Sequence, residues 1–289
     1  MLLSVTFVSL LSILSAFASP IPEAGGLQER AVSDDVFSNL VDYFKYASSA
    51  YATSCARPNG NVFVSRISDI ITDTQGFIAR DDTKREIVVV LRGSTSLTDF
   101  VVDAQVSLVP FISPGVRAPV GTLVHAGFLT AWNSVASSVI SGVQTQLSAH
   151  PGYTLATSGH SLGGALSSLA GISLKQNFPN TPLRLFTYGQ PRTGNVIYAS
   201  FVNNAVGVSN IFRAVHTTDG VPTTIPVIFG YFHHATEYWQ NIDPASPLTV
   251  RQCNSSGEDL TCSASIPSGG INAAHLVYFN IAASTPFCS

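Results

Sequence analysis

The segment Gly159-His160-Ser161-Leu162-Gly163 constrains this chain more than any other feature. Residues 153–158 read as a strand leading into it, and residues 162–175, rich in small side chains, read as the helix leading out. Glycines two residues either side of a serine let a chain turn sharply from strand to helix without a β-carbon clash. The hydroxyl then projects beyond the sheet edge, and the helix amino terminus aims free N–H groups at whatever it attacks. Ser161 is the candidate nucleophile.

A hydroxyl is a weak nucleophile until a base takes its proton, and that base must itself be oriented by a third group. The chain has seven histidines. Where the nucleophile sits on such an elbow, acid and histidine commonly follow it in the chain, which sets aside His125, His150 and His160. His216, His233, His234 and His275 remain. Asp219 follows a predicted strand at 210–215, where a triad acid belongs, although an Asp-Gly pair also makes an ordinary turn. His275 lies in a loop entering an apolar segment, a setting that equally suits a structural histidine. Spacing alone leaves both assignments open.

The rest of the chain predicts an α/β fold. Val36, Phe37, Leu40, Val41, Phe44, Ala47 and Tyr51 recur at helical spacing behind Ser33, and Phe128, Trp132, Val135, Val139, Val143 and Leu147 mark a longer helix. Residues 75–80 and 86–91 read as strands joined by a polar turn, and further strands are predicted at 183–188 and 210–215. This alternation implies a mostly parallel central sheet with helices on both faces and catalytic groups at the carboxyl ends of strands. No repeat or linker divides residues 31–289, which read as one domain.

Charged residues make up only 11% of the 289, against roughly 25% in an average soluble protein, and the net charge is −3 with no long basic run. Nucleic acid and anionic membranes are therefore poor partners for it. Residues 2–17 form an apolar run too short to span a bilayer, so residues 1–18 read as a secretory signal peptide and no stable membrane insertion is expected. Residues 19–30 read as a propeptide ending at Glu29-Arg30. The expected location is extracellular. Four cysteines allow three pairings and lack metal-ligand spacing, so no metal is expected. Cys253 and Cys262 are close enough to staple a loop, which leaves Cys55 to join Cys288. Asn254-Ser255-Ser256 is a glycosylation sequon.

Seven further segments extend the pattern: Val90-Leu91-Arg92-Gly93-Ser94, Val124-His125-Ala126-Gly127-Phe128, residues 157–166 around the serine, Tyr188-Gly189-Gln190-Pro191-Arg192-Thr193-Gly194-Asn195, His216-Thr217-Thr218-Asp219-Gly220-Val221-Pro222, Glu237-Tyr238-Trp239 and Ala274-His275-Leu276-Val277-Tyr278-Phe279. In this order and spacing the chain resembles the fungal class 3 lipases, an α/β-hydrolase family that also contains feruloyl esterases. The resemblance implies Ser161 as nucleophile, Asp219 as orienting acid and His275 as base, with the same cysteine pairs. It makes His216, His233 and His234 structural or pocket-wall residues.

It further implies an oxyanion hole built from the Leu162 amide and from Ser94 through its amide and hydroxyl. A short lid helix is implied over the site, and Leu97, Phe100 and Val101 form its small apolar face, with Asp103 holding the Ser94 hydroxyl. The expected activity is a cofactor-free, monomeric triacylglycerol lipase working on ester or lipid substrate at an oil–water interface. A feruloyl or other soluble-substrate carboxylesterase is the alternative. A phospholipase and a catalytically silent binding protein of the same fold are less favoured.

Overall fold

The computed structural model describes residues 31–94, 106–267 and 269–289. The predicted signal peptide, propeptide and lid residues Leu97, Phe100, Val101 and Asp103 lie outside these. The first helix, α1 (Asp34–Ser49), starts where Ser33 caps it, its Oγ accepting the Val36 amide at 3.3 Å, with Asp34 and Asp35 in the first turn facing the positive end of the helix dipole. Strands β1 (Val62–Asp69), β2 (Thr74–Asp81) and β3 (Glu86–Leu91) follow as an antiparallel meander. After β4 (Leu108–Pro110) and β5 (Leu123–His125) comes α2 (Ala126–Ala149), then β6 (Thr154–His160), α3 (Leu162–Asn177), β7 (Leu183–Tyr188), β8 (Gly194–Asn195) and α4 (Val196–Val206). The chain ends with β9 (Ile211–His216), β10 (Tyr231–Phe232), β11 (Glu237–Gln240), β12 (Val250–Gln252), β13 (Val277–Tyr278) and β14 (Ile281–Ala282).

Eight strands form the central sheet in the order β1-β2-β3-β6-β7-β9-β11-β12. β3, β6, β7, β9 and β11 run parallel, so their carboxyl ends share one edge. β10, β8, β5 and β4 make a smaller sheet beside it. In β3, Ile87, Val89 and Leu91 pack under α2, α3 and α4, while Val88 and Val90 pack on the α1 side. All six residues of β3 are buried, as a strand covered on both faces requires. Tyr43 of α1 stacks on Phe186 of β7 with ring centroids 3.8 Å apart.

Both expected disulfides are present. Cys55–Cys288 ties the segment after α1 to the carboxyl terminus across 233 positions, removing unfolded-state freedom. Asn254 is exposed, its Oδ1 accepting the Ser256 amide at 3.0 Å. No helix among the described residues is long and apolar enough to cross a membrane.

The predicted strands and helices match within a few residues, with instructive differences. α2 begins before the apolar series at Phe128 because the His125 imidazole caps it, Nδ1 accepting the Gly127 and Phe128 amides at 3.1 and 3.3 Å. Histidine is not among the usual capping residues, so nothing in the sequence marked that start. β1 escaped prediction because it is an edge strand whose burial does not alternate cleanly. The strands of the small sheet are only two or three residues long, below the length at which periodicity registers.

Candidate active site

β6 delivers the chain to its carboxyl edge and α3 begins one residue later, so Ser161 occupies the turn at φ 61°, ψ −130°. A non-glycine residue there is strained by about 1–3 kcal/mol, which the surrounding packing must offset. The glycines permit it. A β-carbon on Gly159 would strike the Gly163 backbone and lie 2.6 Å from Ser167 Oγ, and one on Gly163 would strike the Leu91 carbonyl. The Ser161 amide donates to the Tyr188 carbonyl at 2.8 Å, pinning the turn to β7. Leu162 opens α3, and Ser94 follows β3 at the same edge.

Asp219 lies three residues beyond the carboxyl end of β9, and His275 sits in a short 3₁₀ turn ahead of β13. Separated by 56 positions, they meet in a buried hydrogen bond, His275 Nδ1–H donating to Asp219 Oδ2 at 2.9 Å. Oδ1 accepts the Val221 amide at 2.9 Å, and the Tyr278 hydroxyl donates to Oδ2. Burial opposes ionisation of Asp219, but the hydrogen bond and charge of His275, with Tyr278 and Val221, outweigh it and hold the carboxyl below its ordinary range. Gly189, at φ +57°, presses against the pair: a β-carbon there would lie 2.7 Å from both Asp219 Oδ2 and His275 Cε1. With Nδ1 committed to the carboxylate, Nε2 carries the basic lone pair and has no protein hydrogen-bond partner among the described residues.

Several residues that spacing did not single out support this pair. His160 stacks on His275 with ring centroids 4.5 Å apart, and its Nε2–H donates to the His275 carbonyl at 2.8 Å. Its Nδ1 accepts from the Tyr51 hydroxyl at 2.8 Å, which links the segment after α1 to His275 through the His160 ring. Burial first, then the neighbouring charge of His275, lowers the His160 pKa to about 3, so no second cation stands beside the His275 imidazole near neutral pH. His216 donates through Nδ1 to the Ala274 carbonyl at 2.8 Å, and Asp243 Oδ1 holds its Nε2 at 3.1 Å. Tyr51 and Asp243 carry no motif. His160 and Tyr278 each lie within a motif that drew attention to a neighbour.

His233 and His234 stand apart. His233 Nε2 donates to the Pro222 carbonyl at 2.8 Å, and His234 Nε2 meets Ser168 Oγ at 3.0 Å and Gln190 Nε2 at 3.2 Å. Both are buried and held neutral, which suits walls rather than proton carriers. Glu237 lies near Cys253 and Cys262, but both sulfurs are in the disulfide, and the carboxylate is taken by Arg213 and the Ser263 amide. That trio offers no thiolate to a metal.

Comparison with known proteins gives the chain a family. Residues 88–229 match the family described as lipase (class 3). A secreted alkaline triacylglycerol lipase of Penicillium cyclopium is 33% identical over 284 residues, covering 97% of this chain and 95% of that one. The chain belongs to the class 3 lipase family. A lipase of Rhizomucor miehei is 33% identical over 279 residues, 92% of this chain and 73% of that one. The crystal structure of a triacylglycerol lipase from Penicillium expansum superposes with a TM-score of 0.81 at 30% identity, covering 89% of this chain and 98% of its own. This class 3 lipase has the α/β-hydrolase fold and is a carboxylic ester hydrolase.

Proposed function

We propose that the protein is a secreted triacylglycerol lipase in which Ser161, His275 and Asp219 act as nucleophile, base and orienting acid. The observation that carries this reading is the buried His275–Asp219 hydrogen bond of 2.9 Å at the edge where Ser161 emerges, with Nε2 left to accept a proton. His275 takes the serine proton as Oγ attacks the ester carbonyl, then gives it to the departing alcohol. Asp219 fixes the tautomer and stabilises the imidazolium. A water deprotonated by the same imidazole then releases the fatty acid. Negative charge on the tetrahedral oxygen is met by the Leu162 amide and by Ser94, each donor worth roughly 10²–10³ in rate. Residues 1–18 are removed on export and residues 19–30 by cleavage after Arg30, and Asn254 carries a glycan.

Hydrolysis of emulsified long-chain triacylglycerol, set against methyl ferulate, tests the substrate class: faster turnover of the ferulate replaces the lipase reading with the esterase one. An organophosphonate should label Ser161 stoichiometrically, and a label on any other serine refutes the nucleophile. Amino-terminal sequencing of the secreted protein should begin at Ala31.

A further inference from the structure

The β1–β2 hairpin closes at the pair Asp69–Thr74, leaving Ile70 and Ile71 at its tip with 94% and 90% of their surface in water. Turn chemistry does not ask for them. Asp69 Oδ1 accepts the Ile71 amide at 3.1 Å, the Thr72 amide at 2.9 Å and the Thr72 hydroxyl at 2.9 Å, and Asp73 takes the left-handed position at φ 48°. The two intervening positions tolerate almost any residue and usually carry polar ones. The tip is also anchored. Thr72 Oγ1 meets Ser134 Oγ at 2.9 Å, Thr74 Oγ1 donates to the Ala131 carbonyl at 3.1 Å, and Arg92 pairs with Asp73 at 3.1 Å. Two β-branched apolar side chains are thus held rigidly in water.

Topology gives them a position. β2 runs antiparallel to β3, with Gly76 opposite Leu91, so the hairpin tip lies at the edge where the parallel strands end. Arg92 follows β3 and leads to Gly93, where an added β-carbon would lie 3.1 Å from Ser161 Cβ. Leu276, next to His275, exposes half its surface at the same edge. Around the tip, Arg66 and Arg92 balance Asp69 and Asp73 in charge, so nothing there draws the protein to an anionic surface. Arg66 and Arg92 are also engaged by Gln75 at 3.3 and 2.9 Å.

We propose that Ile70 and Ile71 form a fixed anchor that inserts into an uncharged oil surface and presents the serine edge to it. The proposal rests on the lipase reading for its partner and extends it to a site outside the segment expected to form the lid. A preorganised apolar tip enters lipid without ordering cost, and the area removed from water drives it.

The test uses the full chain. Flotation with emulsified triolein is measured for a Ser161→Ala protein with and without Ile70→Ser and Ile71→Ser, so that binding is read apart from turnover. Droplet affinity is expected to fall about tenfold in the double substitution. In the active protein, p-nitrophenyl acetate turnover below its solubility limit and Tm should not change. Ile71→Trp should bind droplets more tightly than the parent. Unchanged droplet affinity overturns the proposal, and so does an equal loss on the soluble ester. If the parent floats with droplets yet fails to hydrolyse triolein, the lipase reading fails while the anchor is still measured.

Discussion

Two buried carboxylates, Glu237 on β11 and Asp219 just beyond the end of the neighbouring β9, meet different partners. Glu237, the first residue of β11, faces Arg213 of β9 in register and meets its guanidinium at 3.1 Å; the Ser263 amide at 3.0 Å completes its shell. Arg213 is fully buried and donates two further N–H groups to the carbonyls of Gly257 at 2.9 Å and His234 at 3.4 Å. An arginine never loses its proton in a protein, so this pair is a permanent brace. Asp219 is equally buried, but its partner is the imidazole of His275, whose Nε2 has no hydrogen-bond partner among the described residues. What separates the two is the partner: a permanently charged guanidinium within the sheet for Glu237, and at the sheet edge, for Asp219, an imidazole, a group that can both take and give a proton.

The largest effect that would break this contrast is on turnover. Asp219→Asn should cost about 10³–10⁴ in kcat while leaving the fold intact, because the wrong imidazole tautomer then faces the serine. Steady-state kinetics with circular dichroism checks this, and a loss under tenfold removes Asp219 from the chemistry. Glu237→Gln should do the reverse. An uncompensated Arg213 charge costs about 3–5 kcal/mol, read as a large fall in Tm or denaturation midpoint, with the kcat of the folded fraction unchanged. Lost turnover at an unchanged Tm would merge the two carboxylates into one class.

Acid should sharpen the contrast next. Burial first, with His275 or Arg213 adding to it, holds His160 and His234 each at about pKa 3 in the fold, whereas an unfolded histidine titrates near 6.5. Between those values the unfolded chain binds protons that the native chain does not. Stability is therefore full above about pH 6.5 and falls as pH drops, by up to about 1.4 kcal/mol per pH unit for each ring. The Asp219 carboxyl is depressed instead, so its contribution is present above its unfolded value near 4 and is lost as pH falls through the native one. Tm measured from pH 7 to 4 should fall steadily, and His234→Gln should flatten the slope; a flat profile in the parent refutes neutral burial of these rings.

Smaller effects belong to the supports. Tyr278→Phe removes one donor from Asp219 but leaves His275 and Val221, so kcat should fall about tenfold with no change in KM. His216→Asn should cost about threefold, since it loosens only the carbonyl preceding His275. A larger loss there would make His216 a principal determinant of base geometry.

The elbow was legible in the sequence because its causes are local: residue 161 needs small neighbours two positions away on each side, and those glycines are in the same pentapeptide. The amphipathic spacing of α1, the buried run of β3 and the apolar series of α2 were legible for the same reason. Asp219 and His275 were different. Each fitted an ordinary turn or structural histidine by spacing, and resemblance to a family, not periodicity, selected them. Tyr51, Asp243 and Gly189 were invisible as supports, because what each does depends on a partner far away in the chain.

By itself, then, the sequence determined where the chain turns, which faces are apolar and which serine sits at a helix amino terminus, all consequences of steric and hydrophobic rules acting within a few residues. Tertiary structure alone decided which carboxylate was braced by an arginine and which was paired with a histidine. That choice depends on which charge each one meets in a medium too apolar to leave it unpaired, and the meeting is made by the order of strands in the sheet.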